Sequence, residues 1–71
     1  MRLLSDREIE VLKLFHYERK DIAEKLFITE RTVMSHIHTI FQILGARTRT
    51  EAVLIALRMG IVKLEDYEVE I

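Results

Sequence analysis

The chain of 71 residues has no cysteine and no proline, and only two glycines, Gly45 and Gly60. Without cysteine, neither a disulfide framework nor a thiolate metal site can brace the fold, so a domain this small must rely on its core or on association. Without proline, and with glycine at two places only, the sequence has two obvious stops and otherwise runs on helix formers. Long hydrophobic runs are missing too. No uncharged stretch is long enough to cross a bilayer, and Met1-Arg2-Leu3-Leu4 runs straight into charged sequence. Neither a membrane partner nor a signal peptide is expected, and the cytoplasm is the expected location. A charge excess of one sign is also absent: the formal net charge is -1, which argues against a strongly basic nucleic-acid binder. The charge is nonetheless uneven. Residues 1–60 hold ten of the eleven Lys and Arg against eight of the twelve Asp and Glu, a surplus of +2. Residues 61–71 hold Lys63 against Glu65, Asp66, Glu68 and Glu70, a balance of -3.

What is present is 49% hydrophobic and 32% charged residues, the composition of a globular domain. The expected architecture is all-α, four helices. Ser5 with Glu8 three residues on makes a capping box, and Ile9, Val11, Leu12, Leu14 and Phe15 supply the apolar face of a first helix. Ile22, Ala23 and Leu26 mark a second helix of about two turns, ending near Phe27-Ile28. After a three-residue turn, Thr29 caps a third helix whose Val33, Ile37, Ile40, Phe41 and Leu44 form one stripe before Gly45 stops it. Thr48 with Glu51 forms another capping box for a fourth helix, in which Ala52, Val53, Ala56 and Leu57 face inward and Gly60 ends the run. The closing "IVKLEDYEVEI" fits either a short strand or a loose tail. Two short helices with a three-residue link have the spacing of a helix-turn-helix unit, although many small bundles share it.

More specific are the blocks "LSDREIEVLKL", "KDIAEKLFITERTVMSHIHTIF", "LGARTRTEAV" and "ALRMGIV", in that order. Together they resemble the LuxR-type, or GerE-type, helix-turn-helix domain of bacterial transcription regulators, over residues 4–62. The resemblance implies a domain at residues 1–62, followed by an acidic tail at 63–71. It also implies sequence-specific binding of double-stranded DNA, with the helix at 30–44 in the major groove. On that resemblance Thr29 and Thr32 would serve a phosphate at the helix N-terminus. Arg31, Met34, Ser35, His38 and Thr39 would lie along the reading side. Arg47, Arg49 and Thr50 match the family's backbone-contacting segment, and the fourth helix is its dimer surface.

Several positions depart from the family's pattern. Met34 stands where lysine is usual, Thr39 where asparagine is common, and Gln42 and Ile43 where basic residues often precede "LG". Each phosphate contact adds to the counterion-release term, so losing two or three weakens binding by on the order of ten- to a hundredfold at physiological salt. Met34 can still touch a thymine methyl, and Ser35 and His38 can hydrogen-bond base edges. The alternative is a helix-turn-helix domain turned to protein-protein interaction with little DNA affinity. The family also separates its first two helices by a glycine-containing turn, whereas "LFHYERKDIA" lacks the glycine and reads as shortened. Either a tight turn forms at His16-Tyr17, or the first two helices are fused into one whose halves pack in different subunits.

Catalysis and metal binding find no support in these residues. Ser5 reads as a cap, Ser35 has no base to activate it, and the carboxylates are scattered, so no enzyme activity, cofactor or small-molecule substrate is expected. His36 and His38 point about 200° apart on a helix and cannot share a metal. His36 is expected to be half-buried and hydrogen-bonded to the backbone. Arg47 and Arg49 oppose the dipole at the start of the fourth helix, which favours an external anion partner. That helix also carries more apolar surface than one core face can bury. A homodimer is therefore expected, with Glu51, Leu54, Ile55, Arg58 and Met59 at its interface.

Overall fold

The computed structural model describes residues 3–67. Their order is α1 (Asp6–Leu12), α2 (Arg19–Leu26), α3 (Glu30–Leu44), α4 (Arg49–Arg58) and a closing 3-10 turn (Leu64–Tyr67), with no strand among the described residues. No helix among them is long and apolar enough to cross a membrane.

Each helix but one starts where a side chain takes up orphan amides. Ser5 accepts from the Glu8 N–H while the Glu8 carboxylate accepts from the Ser5 N–H at 2.8 Å, the full capping box expected. Thr29 accepts from Thr32 N–H and Thr48 from Glu51 N–H, each at 3.1 Å. The second box closes differently from expectation, because the Glu51 carboxylate reaches the amide of Arg47 rather than that of Thr48. The exception is α2: Glu18 occupies the cap position, and its carboxylate makes no cap bond.

The stops are more varied. Gly45 ends α3 with φ +68°, and the Ala46 amide returns to the Phe41 carbonyl at 2.9 Å. Gly60, φ +74°, does the same for α4, with Ile61 N–H on Ala56 O. Between α2 and α3 the left-handed residue is Phe27, at φ 57° and ψ 43°. A bulky L-residue pays about 1 kcal/mol or more there. The Ile28 amide on the Ala23 carbonyl, at 3.0 Å, secures the bend in return, and the Phe27 ring is left 95% exposed.

Fusion of the first two helices does not occur: of the two expected outcomes the turn is the one found, and it spans residues 13–18 rather than His16-Tyr17 alone. The amides of Leu14, Phe15 and Tyr17 each bond three residues back, to Val11, Leu12 and Leu14, which tightens the chain out of α-helical register. That swing drops Phe15 into the core, where its ring meets Phe41 edge to face with centroids 6.2 Å apart. Around it Val11, Leu12, Ile22, Val33 and Ile40 are fully buried, and Ala52 and Ala56 let α4 approach closely. Burial of each large aliphatic side chain stabilises the fold by about 1.5–3 kcal/mol. Val53, Ile55 and Leu57 cover the same cluster from its edge.

The segment after Gly60, read from the sequence as strand or loose tail, is neither over its described part. Val62 is buried, the Asp66 carboxylate accepts from the Lys63 amide at 2.9 Å, and the resulting turn brings Tyr67 back to α1. There the Tyr67 hydroxyl donates to the Leu12 carbonyl at 2.7 Å, with its ring edge-on to His16. Glu68 and Glu70 of the acidic segment lie outside the described residues.

Burial, reinforced by the neighbouring Asp66 carboxylate, pushes the Tyr67 hydroxyl up from 10.0 to about 12. Because the folded value is raised, the neutral hydroxyl's contribution is fully present below pH 10 and is lost as pH rises through about 12. Tyr67→Phe is expected to cost about 1 kcal/mol in urea unfolding at neutral pH. Its stability difference from the wild type should shrink above pH 10, and a difference that stays constant across that range would contradict the assignment.

Candidate nucleic-acid interface

The three-residue link through Phe27 holds α2 across the start of α3 and leaves one side of α3 bare. Thr29, Arg31, Thr32, Met34, Ser35 and His38 are all exposed, whereas Thr39 is half-buried. At the front end the Thr29 and Thr32 hydroxyls bond each other at 3.0 Å, so the pair is ordered before any ligand arrives. Glu30 sits in the first turn, where its charge complements the dipole. Of the positions at which the family carries basic residues, Gln42 is exposed and Ile43 is half-buried.

Met34 and His38 face a groove that continues to Thr48 and Arg49 at the start of α4, floored by Ile37 and Phe41. Folding thus gathers two expected contacts of α3 and one of α4 into one concave strip. Arg47 and Thr50 are exposed beside it.

Arg49 differs from the others in having a structural task. Its Nη1 donates to the Tyr17 carbonyl at 2.6 Å and lies 3.4 Å from that of Phe15, while the guanidinium carbon stands 5.5 Å from the Phe15 ring centroid. The cation that opposes the dipole of α4 is matched to carbonyls within the chain. Neither this bond nor its partners can be read from local spacing, since 32 residues separate Arg49 from Tyr17.

A residue outside the sequence-derived set also reaches this face. Arg19, first residue of α2, donates from Nε to the Glu30 carboxylate at 3.1 Å, and its Nη1 lies 3.3 Å from the Met34 sulfur. The only local hint is a cation at the positive end of a helix lacking a capping side chain.

His36 is half-buried as expected, yet its ring has no hydrogen bond to a described residue. No group of three or more His, Asp or Glu among the described residues is placed to hold a metal ion. On α4, Glu51, Leu54, Arg58 and Met59 are exposed, Leu54 and Met59 each to 60%, whereas Ile55 is half-buried against the core.

Residues 2–56 match the family model GerE, described as bacterial regulatory proteins, luxR family. Two transcriptional regulatory proteins of Bacillus subtilis (strain 168) are similar: YxjL, 51% identical over 59 residues, and LnrK, 47% identical over 60. The matches cover 80% and 82% of this chain but only 27% of either relative's length. The spore germination protein GerE of the same organism is 45% identical over 64 residues, 87% of this chain and 86% of that protein. Among solved structures, the transcription factor GerE superposes with a TM-score of 0.82 at 41% identity, over 90% of this chain and 98% of that one. The response regulator ChrA of a heme-sensing two-component system gives 0.83 at 36% identity, over 87% of this chain and 32% of its own.

The two arginines at the start of α4 should separate in an unfolding experiment. Arg49→Ala strips the turn carbonyls of a charged donor and is expected to cost about 1.5–3 kcal/mol in urea denaturation. Arg47→Ala, exposed, should stay within about 0.5 kcal/mol of wild type. Equal stabilities for the two variants would show that the Arg49 bonds contribute nothing.

Proposed function

The chain belongs to the luxR family of bacterial regulatory proteins, a helix-turn-helix family of DNA-binding domains and not of enzymes, and from this premise we propose that it reads double-stranded DNA with α3 in the major groove. The observation that carries the reading is the bare side of α3, where Arg31, Met34, Ser35 and His38 stand together behind an N-terminus ordered by Thr29 and Thr32. A helix N-terminus with paired hydroxyl donors suits a phosphate, and the polar and sulfur-bearing side chains behind it suit base edges and thymine methyls. Arg47 and Thr50 then flank the groove as backbone contacts. Arg49 shapes the surface from behind through the turn carbonyls.

This interface reads by shape and short-range contact more than by charge. Few cations face DNA, so affinity is modest and its salt dependence shallow for a protein of this kind. Pairing two copies offsets that weakness, since a dimer engages two half-sites about one helical turn apart. We place the dimer seam on α4, along Glu51, Leu54, Ile55, Arg58 and Met59. Leu54 and Met59 supply the exposed apolar area, and Ile55 links the seam to the core.

Mobility shift on random duplex DNA across several salt concentrations tests the reading. Wild type should bind with affinity falling as salt rises, and Arg47→Ala should reduce the log-log slope by about 0.9 for each phosphate that is no longer neutralised. Absence of any salt-dependent binding would instead favour a domain that meets protein through Met34 and Phe27. Sedimentation equilibrium tests the seam. Leu54→Glu changes an exposed residue, so it should leave thermal stability nearly unchanged while turning a dimer into a monomer. A monomeric wild type at high micromolar concentration would remove the seam.

A further inference from the structure

We propose that Arg19 is a DNA-phosphate contact, a cation lent to the reading face by α2 and held ready over α3 by Glu30 and Met34. The inference rests on the DNA-binding reading above and adds to it a residue outside the expected set.

Three observations converge on Arg19. Its guanidinium bridges from the first turn of α2 to the exposed side of α3, meeting the Glu30 carboxylate at 3.1 Å and the Met34 sulfur at 3.3 Å. Both partners are weak holders. The Arg19 and Glu30 side chains are 48% and 50% exposed, and an ion pair so open to solvent contributes little. Thioether sulfur is a poor acceptor, and the remaining N–H groups of Arg19 have no partner among the described residues. Arg19 also lines the same groove as Met34, His38 and Thr48. The other guanidinium of that groove, Arg49, is anchored through Nη1 to the carbonyls of Phe15 and Tyr17, part-buried bonds that tie it into the fold. Of the two guanidiniums in the groove, Arg19 is the one whose contacts are both exposed and so open to exchange.

Its position also suits the exchange. In a helix-turn-helix unit the first helix crosses the DNA backbone while the second enters the groove, so the first residue of α2 comes near phosphate when α3 is seated. A planar guanidinium matches two phosphate oxygens at once, a stronger partner than one exposed carboxylate oxygen. Glu30 keeps Arg19 folded over α3 in the free protein and competes with phosphate for it, so Arg19 leaves Glu30 on binding. A cation as first residue of a helix opposes that helix's own dipole, and an incoming anion relieves the conflict.

A simpler role competes with this one, in which Arg19 only neutralises Glu30 so that its carboxylate does not repel DNA. Salt-dependent mobility shift of the full chain on random duplex DNA separates the two, using Arg19→Ala, Glu30→Gln and the double variant. For a phosphate contact, Arg19→Ala reduces the log-log salt slope by about 0.9 per protomer. Glu30→Gln tightens binding, and the double variant keeps the flattened slope. If Arg19 only masks Glu30, the double variant regains wild-type affinity and slope, and the proposal is overturned. An unchanged slope in Arg19→Ala also overturns it while leaving the DNA reading intact. A wild type that binds no duplex overturns the DNA reading and this inference together. Arg19→Gln, which keeps part of the stem and two N–H donors but no charge, replaces Arg19→Ala should that variant melt early.

Discussion

The carbonyl groups of the turn that follows α1 are the constraint around which the rest of the structure is arranged. The chain turns over residues 13–18 without glycine; the amides of that turn bond three residues back, the Leu12 carbonyl taking the Phe15 amide, while the carbonyls of Phe15 and Tyr17 take no backbone amide within the turn. Each is met by a side chain from a distant part of the chain. Tyr67 donates to Leu12 at 2.7 Å, and Arg49 lies at 2.6 Å from Tyr17 O and 3.4 Å from Phe15 O. A glycine would have eased the backbone into the turn by itself. Here the turn is held by tying the start of α4 and the closing 3-10 turn to it, which fixes both elements relative to α1.

That tie explains the division of labour between the two arginines beside α4. Arg49, half-buried and stacked at 5.5 Å on Phe15, completes the fold; Arg47, exposed, is the one left to meet solvent or a ligand. It also shapes the groove beside α3, which Thr48 and Arg49 line from the start of α4. With Met34, Thr39 and Gln42 in place of basic or amide-bearing residues of the family pattern, charge on α3 is low, and what cation there is comes from neighbours. Arg19 reaches in from α2 and Arg31 stands at the front. On the proposed DNA-binding reading, recognition by such a surface would depend on fit, and fit on the angle between α2 and α3. Phe27 holds that angle through a left-handed backbone that costs local energy and is offset by the Ile28 bond to Ala23.

The core is thin for the same reason that α4 is two-sided. Ala52 and Ala56 are fully buried and bring α4 close, but small side chains remove little apolar surface from water. Leu54 and Met59 point away from that contact and stay 60% exposed, so the helix has apolar area on both sides. In the proposed dimer a second copy would cover this outer side and add apolar burial there.

From the sequence by itself, the helices and most of their ends were legible. Ser5, Thr29 and Thr48 cap amides three residues ahead, and Gly45 and Gly60 adopt the left-handed backbone that glycine favours, so each signal and its effect lie within one turn of chain. The family resemblance placed Arg31, Met34, Ser35 and His38 on the side of α3 that is exposed, and Thr39 with them, which is half-buried. Other features depended on residues far apart in sequence. The turn that separates α1 from α2 is met by Arg49 and Tyr67, 32 and 55 residues beyond the carbonyls they hold. The partners of Arg19 lie 11 and 15 residues away on another helix. A left-handed phenylalanine carries no local signal at all. Capping is a contact between near neighbours along the chain, whereas the acceptor for a long side chain is chosen only when packing brings an unsatisfied carbonyl or carboxylate within reach.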